Sequence, residues 1–212
     1  PHFRKRADAS YELGLAKMKL ATSMAEAAAA AAAATGLSAA ETKATVSDDQ
    51  DALLTSASGY FGDAIRMYAK HVRSFCSLGM IGQMRNDDAA AIAGFGAAFK
   101  IRPDFPGVRE NLAYAHFRQA MAALKSRDAD GLAPTSTASA ELRLRSERNF
   151  EAAVQVLPSL SKCHLHLAEL RLERGDRSGA EKAFRAAIAS LEDAAVAAAA
   201  VAAAPAPTMS KS

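Results

Sequence analysis

An all-α chain of stacked helix pairs is what this sequence predicts, on three observations. Alanine supplies much of the 50% hydrophobic content, aromatic residues make up only 6%, and tryptophan is absent. The core must therefore be assembled from small, closely spaced side chains. Alanine is the strongest helix former and the β-branched residues that favour strands are few. Finally, small and large apolar residues recur every 34 positions, with prolines set where the second helix of such a two-helix unit has to stop.

The fullest copy of the period runs from Phe75 to Pro103 through Leu78-Gly79, Ala91, Phe95 and Ala98. One period on, Leu78 recurs as Leu112, followed by Ala113. One period earlier, Phe95 and Ala98 have counterparts in Phe61 and Ala64, as Phe184 and Ala187 have in Phe150 and Ala153. Pro158 follows Phe150 at the same spacing as Pro103 follows Phe95. Two intervals exceed the period: Leu13 to Leu78 spans 65 positions and Leu112 to Leu167 spans 55. In both, the excess falls between the two helices of the unit. Small residues at the Leu-Gly or Leu-Ala pair and at the alanines let helices approach closely, and the four phenylalanines fill the space between units. No unit buries its apolar face alone; stacking makes the core continuous.

This pattern resembles the tetratricopeptide repeat (TPR) family over nearly the whole chain outside the insertions and the C-terminal tail. The resemblance implies a right-handed solenoid of about four helix-turn-helix units. Repeat 1 covers about 7–71 with an insertion at about 23–54, and repeat 2 covers about 72–105. Repeat 3 covers about 106–160 with an insertion at about 121–141, and repeat 4 covers about 161–194. An Ala-rich helix at about 191–204 is expected to cap the array, and Pro205 and Pro207 open a flexible tail at 205–212. The first insertion holds the run Ala27 to Ala34 and the stop Thr35-Gly36. It reads either as an extended first helix, looping through Ser47-Asp48-Asp49 into a longer second helix, or as a disordered low-complexity segment. The second insertion contains Asp130-Gly131-Leu132-Ala133-Pro134, which is loop chemistry, and Glu141 is expected to open the next helix. Ser146 stands where the repeat places a small alanine.

The net charge of +3 is evenly spread: residues 1–106 carry 12 basic and 11 acidic groups, and residues 107–212 carry 14 and 12. Neither half is basic enough to demand a phosphate-bearing partner. Cys76 and Cys163 are 87 positions apart with no C-x-x-C, which predicts a reducing compartment and no zinc site. The cytoplasm is the expected location, with the mitochondrion or another organelle as the alternative. The start, Pro1-His2-Phe3-Arg4-Lys5-Arg6, has no apolar h-region, so a secretory signal is not expected. Alanine is too weakly hydrophobic for the alanine tracts to span a membrane.

In a TPR array the first helices line a concave groove, and the resemblance implies that a partner peptide or helix is read there. The candidate groove residues are Arg73, Met80, Met84, Asn111, Tyr114, Arg118, Lys162 and His166, with Tyr11, Leu15, Met18, Cys76 and Ser77 beside them. Methionines and aromatics with a few cations suit a ligand with an apolar face. The alternative is that several of them pack inside the protein. The carboxylate clamp of co-chaperone TPR domains maps onto Cys76, Met80, Asn111, Lys162 and His166. Asn111 and Lys162 match, His166 could serve as a cation in place of arginine and the other two are lost, so chaperone-tail binding is not expected, while Asn111, Lys162 and His166 remain a candidate anion site. Arg143, Arg145 and Arg148, with Arg109 and Arg118, could contact RNA. An ion-paired helix face with Glu141, Glu147 and Glu151 is the preferred reading.

No chemistry is expected. His164 and His166 are two apart on a helix and cannot chelate together, and His164 falls at a core position of the repeat. Walker, G-x-S-x-G and H-E-x-x-H motifs are absent from the sequence. The expectation is a non-catalytic scaffold or adaptor with protein partners, no cofactor, no metal and no small-molecule substrate. An RNA-contacting subunit of a ribonucleoprotein, such as an organellar ribosome, and a divergent co-chaperone are the alternatives.

Overall fold

The computed structural model describes residues 2–35, 39–130 and 136–203. These residues form eight α-helices and no strand, as the composition predicts. In order they are α1 (His2–Thr35), α2 (Ala39–Met67), α3 (Val72–Met84), α4 (Asp88–Ile101), α5 (Val108–Ala129), α6 (Thr137–Val156), α7 (Ser161–Glu173) and α8 (Arg177–Ala203). The chain divides into two compact units, Pro1–Leu112 and Ala113–Ser212.

Repeated local chemistry sets the helix boundaries. The turn after α3 uses Asn86 at φ 56°, and the turn after α7 uses Gly175 at φ 85°. In each, the next residue donates its N–H back across the turn: Asp87 to the Gly82 carbonyl and Asp176 to the Arg171 carbonyl, both at 2.8 Å. The same aspartates then cap the following helix, accepting from the N–H of Ala90 and of Gly179 at 2.9 Å. That Gly179 hydrogen bond, with Arg174 nearby, holds the Asp176 carboxyl below its usual range. The second helices of the pairs also end alike. Tyr68, Arg102 and Leu157 each donate to the carbonyl one turn back, on Ala64, Ala98 and Ala153. Beyond the latter two, Pro103 and Pro158 forbid continuation.

In the first unit, α1 pairs with α2 and α3 with α4. Gly14 lies against the Phe61 ring so closely that a methyl there would sit 2.7 Å from it. Gly79 repeats this against Phe95 at 2.8 Å, and a methyl at Gly94 would run into the Gly79 backbone. Tyr11, Met18, Leu54, Phe61 and Ile81 complete the core. His71 is buried between the pairs: its Nδ1 lies 2.7 Å from Ser74 Oγ and its Nε2 3.2 Å from Asp8. Arg85 ties α3 to α2 through Asp51 at 2.7 Å and Thr55 at 2.5 Å.

In the second unit, Phe150, Cys163, Leu167 and Leu170 form the core with Ala113, Ala120, Ala153 and Ala168. Ser146, fully buried, shares its hydroxyl between the carbonyls of Ala120 at 3.0 Å and Leu142 at 2.9 Å, which satisfies the polar atom that replaces alanine. His164 is buried too, its Nε2 2.9 Å from the Pro158 carbonyl, as its core position implied.

Two expected helix boundaries change. Ser47-Asp48-Asp49 is not a loop but lies inside α2, because Asp48 and Asp49 point to solvent from a helix already running. Helix α1 continues through the alanine run to Thr35, and Ala21, Met24, Ala25 and Ala28 form a shielded stripe at helical spacing. Helix α6 begins at Thr137 rather than Glu141, since Ser136 caps it by accepting from Ser139 N–H at 3.1 Å. The Ala-rich C-terminal segment is the continuation of α8, with residues 191–199 exposed. Glu192 stands where Pro103 and Pro158 follow α4 and α6, so no proline interrupts the ladder. Gly36, the stretch 131–135 and the tail at 205–212 lie outside the described residues.

The glycine contacts generate a paired test. Gly94→Ala should destabilise by about 1–3 kcal/mol through overpacking. Gly59→Ala, inside α2 with nothing within 4 Å, should stabilise by about 0.5–1 kcal/mol through helix propensity. Urea-unfolding midpoints of the two variants should move in opposite directions.

Candidate functional site

The side chains that α1, α3, α4 and the start of α5 leave unfilled enclose a hollow of about 170 Å³ in the first unit. Tyr11, Ser77, Phe95 and Val108, all buried, form its floor and walls, and Phe105 and Pro106 from the α4–α5 turn close one side. Arg73, Met80 and Asn111 stand at its edge, and Met80 is exposed.

The rim carries a specific electrostatic arrangement. The Arg73 guanidinium lies 4.3 Å from the Tyr11 ring centroid, a cation–π contact, and reaches Glu12 at 3.7 Å. The Arg102 guanidinium lies 5.5 Å from the Phe105 ring centroid and 3.6 Å from Asp104. Two cations thus sit on aromatic faces beside a depression lined by both polar and apolar groups, each partly balanced by an acid in solvent. Tyr11 is fixed from behind by Phe61 at 5.6 Å and His71 at 5.3 Å between ring centroids.

Three of the eight residues expected in the groove, Arg73, Met80 and Asn111, are brought together here. Met84 is not: half-buried, it packs against the first unit's core. Leu15 and Met18 also pack into that core, because α2 covers their face of α1. The other four lie in the second unit. Tyr114 and Lys162 are exposed, and Arg118 is half-buried. His166 stacks on Phe150 at 5.2 Å and 18° and meets Glu169 at 3.0 Å, so its ring packs within the unit. Phe105, Pro106 and Val108 were missed, since the repeat pattern treats the turn after Pro103 as a connector. An aromatic beside a proline in that turn was the available signal.

Two of the acids of α6, Glu147 and Glu151, pair across to another helix. Glu147, nearly buried, reaches Arg171 at 3.4 Å and Arg174 at 2.9 Å, and Glu151 reaches Arg171 at 2.8 Å. They cross to α7 because their side of α6 faces it. Glu173 of α7 in turn meets Arg127 at 3.1 Å and Arg143 at 3.9 Å. A second hollow, about 300 Å³, lies between α6, α7 and α8, but Arg171 on its wall is committed to these pairs. Among the described residues there is no cluster of three metal-ligating groups, and no helix is long and apolar enough to cross a membrane.

No protein-family model matches the sequence, and no curated protein matches it. Among solved structures, the chain is similar to a crystal structure of MamA at 16% identity and a TM-score of 0.39, over 81% of this chain and 88% of that one. A second MamA structure gives 14% identity and a TM-score of 0.40, over 90% and 94%. IFIT1 with m7Gppp-AAAA gives 16% and 0.38, over 66% of this chain and 30% of that one. Superposition at this level is loose, and the helical fold rests on the helices described above.

Cys76 lines the hollow, and burial pushes its thiol up to about 11, while burial alone takes Cys163 to about 12. Both are therefore protonated at neutral pH, and the thiolate is the reactive form. Iodoacetamide labelling of Cys76 at pH 7.5 should be much slower than that of glutathione, its rate still rising above pH 10. A rate plateau below pH 9 would contradict the buried setting.

Proposed function

We propose that the chain is a non-catalytic TPR-type scaffold of four helix-pair repeats, with insertions that lengthen the helices of the first and third, and that it works by binding a partner protein. The repeat segmentation is supported by the recurring turn, cap and helix-end hydrogen bonds, and by the glycine-on-phenylalanine contact shared by the first two pairs. The hollow in the first unit is the binding site, and its size is the observation that carries this reading. About 170 Å³ is below the ~300–1,000 Å³ of small-molecule sites but matches one large apolar side chain.

The partner therefore presents an extended or helical peptide with a leucine- or phenylalanine-sized anchor. Arg73 and Asn111 at the edge favour an acidic or carbonyl-rich neighbour to that anchor. Arg73 has to exchange Glu12 for the ligand, which costs little because both are exposed to solvent. Tyr114 and Lys162, exposed on the second unit, are further candidate contacts.

Peptides selected from a display library against the immobilised chain test this. They should share a large apolar residue with an acidic neighbour. Met80→Glu should weaken them at least tenfold by calorimetry, while Met80→Leu retains binding. Selected peptides that bind Met80→Glu as tightly as the wild type would overturn the assignment.

A further inference from the structure

The last helix pair leaves uncovered an apolar face that the earlier pairs bury. Phe61, Phe95 and Phe150 are at most 1% exposed, but their counterpart Phe184 in α8 is only half-buried. One turn on, Val154 of α6 packs against the second unit's core, whereas its counterpart Ile188 is 56% exposed. On the first helices, Met18 is buried and Phe117 packs on Phe150 and His166, yet their counterpart Leu172 is 48% exposed. Leu191 adds a further exposed side chain one turn beyond Ile188. Phe184, Ile188, Leu191 and Ala195 follow one another at helical spacing and form a stripe on α8.

We propose that this stripe is a dimer interface, on which α8 of a second copy of the chain lies antiparallel about a two-fold axis. The charge pattern selects that occupant. Arg185 and Glu192 flank the same side of the stripe, two turns apart, which is about 10 Å along the helix. In an antiparallel two-fold pair, equal flanks face each other, so Arg185 meets the partner's Glu192 and Glu192 meets the partner's Arg185. In a parallel two-fold pair opposite flanks meet, so Arg185 and Glu192 would face the flank of Ala183, Ala187 and Ala194 and find no ion partner. Arg185 is available, since its partner in the chain, Glu181, forms an exposed pair one turn back on the same helix.

The magnitude is that of a weak dimer. A strip as long as α8, about 40 Å, and one helix wide, about 10 Å, covers about 400 Å² per copy. That is half the ~800 Å² per partner of a standard stable interface. Dimerisation should therefore appear only as concentration rises.

Sedimentation equilibrium of the 212-residue chain, from low-micromolar to sub-millimolar concentration, tests this. The expected result is a monomer–dimer equilibrium with no larger species. Ile188→Glu with Leu191→Glu should weaken it more than tenfold, with an unchanged helical circular-dichroism signal because both residues are exposed. Arg185→Glu alone and Glu192→Arg alone should each weaken it, and the two together should restore it. A monomer throughout, open-ended growth, an unchanged dimer in the Glu variant, or a charge-swap double variant no better than the single ones would each overturn the proposal.

Discussion

The closest approach of two helices within a pair, made by a glycine against a phenylalanine ring, is the contact on which the rest depends. Gly79 admits Phe95, and Gly94 admits the backbone of Gly79, so α3 and α4 touch with no side chain between them. Gly14 and Phe61 make the same contact in the first pair, although the interval from Leu13 to Leu78 is nearly twice the period of the pattern. An apolar content dominated by alanine can sustain a core only if backbones come this near, because dispersion falls off steeply with separation. The phenylalanines supply the volume that alanine lacks.

Polar chemistry fixes where the helices start, stop and cross-link. Asp87 and Asp176 cap α4 and α8 after turns that share one hydrogen-bond geometry, although one turn uses asparagine and the other glycine in the left-handed region. Glu147 and Glu151 of α6 answer to Arg171 of α7 and to Arg174 at its C-cap, and these charge-assisted bonds orient the two helices without adding volume to a small-residue core. The hollow in the first unit is a by-product of the same economy. Where the α4–α5 turn brings Phe105 and Pro106 beside Tyr11, the small residues of α3, Ser77 and Cys76, cannot fill the gap.

The last helix differs from α4 and α6 in the residue that stands eight positions after its phenylalanine. Proline at 103 and 158 forbids continuation of α4 and α6, and α7 then packs back on α6. Glu192 and the alanines after it carry α8 onward instead, and Ile188 and Leu191 are left facing solvent.

Sequence alone determined the helical class and the residues that end α4 and α6, because helix propensity and proline act locally. It also placed Arg73, Met80 and Asn111 on one surface. Tertiary structure decided which expected groove residues face inward. Met84, Leu15 and Met18 are spent on the core because α2 lies across their side of α1 and α3, a fact no period encodes. It decided that the alanine run of α1 continues as helix, and that Glu147 and Glu151 of α6 pair across to α7. It also closed the hollow with Phe105 and Pro106. Each of these depends on which element lies opposite, and that is settled by long-range packing rather than by neighbours in the chain.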